Sequence, residues 1–336
     1  MHTTTYRRGG KTRARCVRPL GRCPVFLCLV VALLVARSNA GAEAFELNPA
    51  PTRDARLPLT VKVFFSVAQF RLTLDGPGVD QTVFLPNVRG RVGASVEWER
   101  LVLAMQVPHG EPEDTTDYGR TRSFDVQLRH YGDVSAMEFY LQSYSGYYLE
   151  DLPDGCRRGA PCSLRPDLRV RHAGAHFHYV FDPAWSMQSA FGSRDAPETS
   201  GGSFILSADV NALTLNNDGV LIPGMRPPLD GGQFISGTLV PAYGHTWVRG
   251  AWYVAPIVRA GMGVMWANYS VVPGASRPDS EWLLNFKFGL RLSTGYAGKD
   301  WRAGFQSHVD VWLPIHDELQ VMPGTMYGEF FVARSF

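Results

Sequence analysis

The feature that most constrains the fold is a strict alternation of apolar and polar side chains over segments of ten or more residues. It is clearest over 281–294 and recurs over 121–131, 135–147, 202–215 and 301–314. A period of two residues places one face of a β-strand in an apolar environment and the other in a polar one. The apolar positions of the clearest segment are Trp282, Leu284, Phe286, Phe288, Leu290 and Leu292. The pattern predicts an all-β protein.

The first forty residues differ in character from the rest of the chain. They contain eight Lys or Arg and no acidic residue, and an apolar run occupies 24–36. This run is shorter than the ~20 residues that a membrane-spanning helix needs. Small residues at Ser38, Asn39 and Ala40 follow it. Residues 1–40 are therefore predicted to be a cleaved secretory signal peptide.

The other end of the chain points to a membrane. The last segment alternates in polarity and ends on Phe336, which is typical of bacterial outer-membrane barrels. After residue 40 there is no second apolar run long enough for a helix span, and such an exported membrane chain satisfies its backbone in a closed β-barrel. We therefore predict a transmembrane antiparallel β-barrel in the outer membrane of a Gram-negative bacterium. Arg334, on the outward face, is expected at the membrane interface.

The pattern yields thirteen candidate strands, whereas bacterial single-chain barrels have an even number of strands. We predict about twelve strands, with 59–74 as the doubtful one, and keep fourteen as the alternative. The loop lengths assign opposite sides of the membrane to the loops, depending on whether strands are counted from the first strand or back from Phe336. The two counts disagree between 183 and 232, where 185–195 is assigned as a strand. Residues 41–58 are predicted to be a periplasmic lead-in and 59–336 the barrel. Interfacial aromatic girdles are expected to include Trp98, Trp185, Trp282 and Tyr296.

Charge and cysteine content exclude some functions. Without the leader, 25 basic residues face 31 acidic ones, a net charge of about −6. The chain lacks the basic footprint of a nucleic-acid-binding protein. Cys156 and Cys162 are the two cysteines that remain, and in an oxidising compartment they are predicted to form a loop disulfide. A metal site at this pair lacks a second pair of nearby ligands.

A short stretch resembles a known family. Residues 119–132 read GRTRSFDVQLRHYG and 140–148 read YLQSYSGYY, with Pro86-Asn87 and 200–203 as further similar blocks. The chain resembles an uncharacterised family of outer-membrane barrels, domain of unknown function 4421, although Arg122 stands where the family more often has Lys. The resemblance implies the barrel architecture and no particular activity.

Polar residues of this block are predicted to face the barrel interior from two adjacent strands. Opposed charges on neighbouring strands predict a paired polar ladder, and the interior of a barrel of this size can largely be filled by side chains. Three interpretations remain, in this order: lumen filling, a site for a solute or lipid headgroup, and catalysis. The predicted lumen cluster comprises Asp125, Gln127, Arg129, Glu138, Tyr140, Gln142 and Tyr144.

Three histidines, His172, His176 and His178, share one strand face and should point inward. The spacing of His176 and His178 can present two imidazoles to one metal ion, since such neighbours lie about 7 Å apart. A third ligand from another strand is not identifiable, so we predict no metal site and no cofactor and keep this pair as the candidates. No Gly-x-Ser-x-Gly or His-Glu-x-x-His motif is present, so common hydrolase and metalloprotease signals are missing.

The leading functional hypothesis is an envelope-structural or narrow-pore barrel with a charge-paired lumen. The alternative is a lipid-modifying hydrolase, or a lumen site for a small ligand or metal. The expected partners are outer-membrane lipid, lipopolysaccharide and, during biogenesis, the barrel-assembly machinery. The predicted charged lumen residues are Arg91, Glu97, Asp125, Arg129, Glu138, Arg259, Lys287, Arg291, Arg302 and Asp310.

Overall fold

The computed structural model describes residues 59–88, 90–110, 112–152, 155–276, 280–315 and 320–336. The predicted signal peptide and lead-in lie outside the described residues. None of the helices in these ranges is long and apolar enough to cross a membrane.

Thirteen strands and two short helices occur in the described ranges. The helices are α1 (Thr115–Tyr118) and α2 (Met187–Phe191). The strands are β1 (Leu59–Gly76), β2 (Val79–Leu85), β3 (Gly90–Trp98), β4 (Leu101–His109), β5 (Arg122–Tyr131), β6 (Ser135–Leu149), β7 (Leu164–Val180), β8 (Gly201–Asn216), β9 (Leu229–Arg249), β10 (Trp252–Val271), β11 (Glu281–Ala297), β12 (Trp301–Ile315) and β13 (Gln320–Ser335).

The sheet closes on itself. Strands that follow one another in the chain pair antiparallel, except β2 and β3, which both pair with β1. Strand β1 also pairs with β13, from Thr60 opposite Ser335 to Asp75 opposite Gln320. Beside β1, β2 and β3 occupy successive parts of one position, so the ring has twelve places. This confirms the predicted antiparallel barrel of about twelve strands. We call the end that holds Leu59 and Phe336 the turn end, and the opposite one the loop end.

Two strand assignments from the sequence are wrong. The doubtful 59–74 is a full wall strand, β1. The predicted strand at 185–195 is instead α2, whose buried Met187, Ala190 and Phe191 follow the helical i, i+3, i+4 spacing. Ser186 caps this helix by accepting a hydrogen bond from the Ser189 backbone N–H. Removing this strand resolves the conflict between 183 and 232.

The predicted alternation matches the two faces of the wall. Outward side chains such as Phe139, Leu141, Val210, Phe288 and Leu290 are 46–55% exposed, whereas the polar residues between them are mostly buried. An apolar belt of this extent suits hydrocarbon rather than water.

Three of the four aromatic residues predicted for the girdle, Trp98, Trp282 and Tyr296, lie on the outer face of the wall. Exposed Trp98 and Trp252 lie at the turn end, where Trp252 also packs against Tyr296. Trp185 is not part of the girdle. It is 4% exposed inside the barrel, and its Nε1 donates a hydrogen bond to Thr246 Oγ1 at 2.9 Å. At the C-terminus, the outward Arg334 stacks on Trp301 and Phe336.

The ring narrows toward the loop end. There β2 pairs directly with β6, through Phe84 opposite Leu149 and Leu85 opposite Tyr148. Strands β4 and β5 stop short of this level, so ten strands instead of twelve form the ring. The break between β2 and β3 carries Pro86 and Asn87, which separate the part of the wall that pairs with β6 from the part that pairs with β4.

Asn87 holds this junction together. Its side chain donates to the carbonyls of Glu113 and Gly119 and accepts from the Glu113 N–H. Its own N–H donates to Thr121 Oγ1, which in turn donates to the Gly146 carbonyl. The residues that carry the family resemblance therefore meet where twelve strands become ten.

Candidate functional site

An apolar cluster fills the lumen at the loop end. It includes Leu221, Ile222 and Met225 from the β8–β9 connection, and Arg165 Nε donates to the Leu221 carbonyl at 2.7 Å. Its side chains are at most 5% exposed, so the described residues pack closely at this level. This loop-end cluster comprises Phe70, Leu72, Leu74, Phe84, Tyr144, Tyr147, Leu149, Leu168, Val170, Leu213, Leu215, Leu221, Ile222, Met225, Leu229, Phe234, Met265, Ala267, Tyr269, Leu283 and Val321.

A plug closes the turn end. It is the β7–β8 connection, residues 181–200, which carries α2 into the barrel mouth. Glu97 accepts hydrogen bonds from Gln188 Nε2 and from the backbone N–H groups of Ser193 and Arg194. Arg302 donates to the carbonyls of Ser189, Ala190, Gly192 and Asp195.

Two of the charged residues predicted to line a pore instead hold the plug. Glu97 and Arg302 face the lumen as predicted, but their hydrogen bonds are to residues of the plug. Gln306 adds a hydrogen bond to the Phe191 carbonyl at 3.0 Å. The buried α2 residues and Trp185 pack in an apolar cluster with Ile205 and Ile257 of the wall. The sequence did not predict a helix inside the barrel here, because the spacing of the apolar residues in 185–191 is also compatible with a strand.

Between the two closures lies a layer of buried and half-buried charges. Among the described residues it contains six cations and five anions. Most are paired across the lumen. We call this set the charged layer: Lys62, Arg91, Arg129, Arg259, Lys287, Arg291, Asp125, Glu138, Asp209, Asp310 and Glu329.

Asp125 is one centre of this layer. Its Oδ2 accepts from Gln106 Nε2 at 2.7 Å and Gln142 Nε2 at 2.9 Å, and lies 3.5 Å from Arg91 Nη1. Gln127 Nε2 reaches its Oδ1 at 3.4 Å. The predicted cluster members Asp125, Gln127 and Gln142 are thus brought together.

Asp209 is a second centre. It pairs with Arg259 and, at 2.6 Å, with Lys287 Nζ. Arg259 also lies 3.6 Å from Asp310, and Lys287 stacks over the Trp312 ring. Lys62 and Glu329 form a further pair at 2.6 Å. Sequence reasoning missed this pair because β1 was the doubtful strand, although the inward parity of Lys62 and Ser66 was readable.

Glu138 joins the histidines that the sequence singled out. Its two oxygens accept a bidentate pair of hydrogen bonds from Arg291, each 2.8 Å. Its Oε2 lies 3.8 Å from His176 Nδ1 and 3.9 Å from His178 Nε2. Donor atoms of Glu138, His176 and His178 all lie within 4.8 Å of one another. Glu138 is the candidate third ligand that spacing alone did not identify.

The ligand types of Glu138, His176 and His178 favour metal binding, whereas the positive charge around them opposes it. Two imidazoles and a carboxylate suit zinc and similar cations. Both ring nitrogens of His176 and Nε2 of His178 have no hydrogen-bond partner among the described residues, while His178 Nδ1 is fixed by Ser207 Oγ at 2.7 Å. Against this, Arg291 already neutralises Glu138, and a divalent cation would add to a layer that has one surplus positive charge.

A small cavity lies in the charged layer. Its volume is about 70 Å³, enough for roughly five water molecules. Arg129 lines it and hydrogen-bonds Gln127, but forms no salt bridge with a described carboxylate. Tyr140 also lines it and lies 3.0 Å from His172 Nε2. Tyr144, in contrast, points into the loop-end cluster and stacks against Arg91.

The structure also creates a serine–histidine contact that the sequence did not reveal. Ser207 Oγ contacts His178 Nδ1, and Glu138 lies on the far side of the His178 ring. An acyl-transfer enzyme needs this type of contact. Here, however, Ser207 and His178 are 1% and 2% exposed and do not border the 70 Å³ cavity. Within the described part of the chain, the Ser207 hydroxyl is therefore shielded from solvent and from this cavity.

At the loop end, Cys156 and Cys162 form a disulfide with their Cα atoms 6.0 Å apart. It closes a turn in the β6–β7 connection. Arg158 within this turn donates to the Glu150 carbonyl and stacks over Tyr118 and Tyr148. The disulfide thus lies in a turn that packs against Tyr118 and Tyr148 at the loop end of the barrel.

Several solved structures have similar topology. They include the outer membrane protease OmpT from Escherichia coli (5% identity, TM-score 0.38, 84% of this chain and 98% of that one) and the translocator domain of autotransporter NalP from Neisseria meningitidis (10%, 0.39, 93% and 98%). An outer membrane channel from Pseudomonas putida F1 is similar at 12% identity (TM-score 0.34, 87% and 100%). Similarity at this level says nothing of what this chain does.

No curated protein sequence matches the chain. Residues 56–317, more than half of its length, match the family described as "Domain of unknown function (DUF4421)". This agrees with the resemblance seen in 119–148. The chain therefore belongs to the DUF4421 family.

Proposed function

We propose that this protein is a sealed, non-conducting barrel of the Gram-negative outer membrane with an envelope-structural role. It would arrive by a cleaved signal peptide and the barrel-assembly machinery, and its partners in the membrane would be lipid and lipopolysaccharide. Support for the membrane location comes from the closed wall, its apolar outer belt and the stacking of Arg334 on Trp301 and Phe336 at the rim.

The observation that carries the proposal is closure of the lumen at both ends. Among the described residues, the loop-end cluster fills one end and the plug fills the other, and the cavities between them are small, about 70 and 10 Å³. A narrow pore needs a continuous polar path, and the apolar level interrupts it. The sealed role therefore takes precedence over the narrow-pore role.

The charged layer fits a structural role. Taking a charge out of water costs several kcal/mol, and an interior pair offsets this cost only with good geometry and further hydrogen bonds. Asp125, Asp209 and Glu138 each have at least two partners. Fixed pairs of this kind hold opposite walls in register rather than attract ions from solution.

Planar-bilayer conductance tests this function. The refolded full-length mature chain is added to a bilayer in 1 M salt, with detergent alone and heat-denatured protein as controls. Insertion of the protein is verified separately by protease protection. We expect no stepwise current from the inserted protein. Reproducible open steps from the folded, inserted protein would overturn the proposal.

A second candidate function is metal binding in the charged layer, favoured by the convergence of Glu138, His176 and His178. Zinc binding is measured on refolded protein by equilibrium dialysis. The double variant His176→Ala, His178→Ala should lose the bound zinc, and the outward-facing His130→Ala is the matched control. Equal zinc in all three proteins, or none in any, would eliminate this candidate.

A further inference from the structure

Three exposed arginines stand together on the outer wall, close to the loop end. Arg122 lies on β5, and Arg169 and Arg171 lie on β7. The strand between them, β6, offers Ser145, which is opposite both Arg122 and Arg169, and Ser143, which is opposite Arg171. We call these five residues the arginine patch.

The register gives the spacing within the patch. Neighbouring strands lie about 4.8 Å apart and same-face residues about 7 Å apart along a strand. The backbone positions of Arg122 and Arg169 are therefore about 10 Å apart, with a serine between them. Because serine is small, the two long side chains can converge above it on one group.

The arginines of the patch have no carboxylate partner. None of the three forms a salt bridge with a described residue, although Asp167 is exposed on the same strand. By contrast, outward Arg71 on β1 is paired with Glu150 at 3.1 Å. In the described part of the wall, Arg71 therefore has a carboxylate partner, whereas Arg122, Arg169 and Arg171 have none.

Other sectors of the loop-end rim have a different character. Among the described residues, outward side chains near the loop ends of β9 to β12 include the uncharged Gln233, Asn268, Ser270, Trp282 and Ile315. General attraction to an anionic surface would distribute unpaired basic residues around the whole rim. Among the described residues compared here, the arginines without a salt bridge lie on β5 and β7, which indicates a localised site.

The patch adjoins the apolar belt. The next outward row toward the turn end is Val126, Leu141 and Ala173, which are opposite one another in register. Phe124 lies between this row and Arg122 and is 43% exposed. A ligand that contacts both rows needs an anionic head and an apolar tail.

We propose that the arginine patch binds the phosphate of a lipid headgroup in the leaflet that faces the loop end. Arginine holds phosphate through paired, charge-assisted hydrogen bonds, and the serine hydroxyls add donors. The acyl chains pack on the row of Val126, Leu141 and Ala173. This inference rests on the membrane placement in the proposed function, but not on a sealed lumen.

The test uses the full mature chain in dodecylmaltoside micelles, titrated with lipid A, and counts retained lipid by native mass spectrometry. The patch variant carries Arg122→Gln, Arg169→Gln and Arg171→Gln. The control variant carries Arg100→Gln, Arg157→Gln and Arg249→Gln, which removes the same charge from exposed sites elsewhere. Folding of each is checked by circular dichroism.

We expect one lipid A bound by the wild type and the control, and roughly tenfold weaker binding or more by the patch variant. An equal loss in both variants, or no loss in either, would overturn the inference. Conductance is recorded on the same samples. Open steps together with patch-dependent lipid binding would end the sealed-barrel function and leave the lipid site standing.

Discussion

The two halves of the barrel share one wall but fill it in different ways. At the loop end ten strands enclose apolar side chains, whereas toward the turn end twelve strands enclose charges and long polar side chains. Barrel diameter increases with strand number, so the wider half needs residues that reach further. Arg259, Lys287 and Arg291 span it and meet acidic partners from other strands.

The difference teaches how each half responds to change. Apolar packing is lost in proportion to the volume removed. A charge network instead fails when one member is left without its partner. The two halves should therefore differ in which substitutions they tolerate, even though one continuous wall encloses both.

The largest effect is expected in the charged layer. Asp209→Asn leaves Arg259 and Lys287 without their shared carboxylate, and we expect a loss of about 3–5 kcal/mol in the free energy of unfolding. Urea unfolding in micelles measures it. The exposed Asp218→Asn is the matched control and should change little. An equal, small effect of both would mean that the network is not structural.

A smaller loss is expected at the loop end. Leu168 is fully buried in the loop-end cluster, and Leu168→Ala should cost about 2–4 kcal/mol through lost burial and the cavity left behind. The same unfolding measurement applies. A loss above that of Asp209→Asn would reverse the order of the two halves.

The junction between the halves gives the smallest effect. Gly146 has φ +87°, and a Cβ there would collide with the Arg120 carbonyl oxygen. Gly110 has a similar φ of +83°, but nothing lies within 4 Å of such a Cβ. We expect Gly146→Ala to cost about 1–3 kcal/mol and Gly110→Ala less. Equal losses would show that backbone strain alone, not the close approach, determines the cost.

Most strands of the wall, and part of the candidate site, could be predicted from the sequence. Period-two alternation predicted which face Asp125, Glu138 and His176 occupy, because parity along a strand is local information. It did not predict that Glu138 meets Arg291, 153 residues away, since that contact depends on where the ring closes. Nor did it predict the plug, whose apolar residues fit either a strand or a helix.

The narrowing of the ring was also beyond the sequence. Residues 83–98 alternate well enough to read as one strand, yet Pro86 and Asn87 divide them. The interruption is stabilised by the distant partners Glu113, Gly119 and Thr121. Such contacts are tertiary, and no local pattern specifies them.

The central claim, that the lumen is sealed at both ends, is tested by cysteine accessibility in the refolded barrel. Thr325→Cys places a thiol at the cavity, while Thr116→Cys and Thr199→Cys place one at the exposed surface of each end. A charged thiol reagent should label both surface cysteines at once and the cavity cysteine only after denaturation. Labelling of the cavity cysteine in the folded barrel, at a rate close to that of either surface site, would contradict the account.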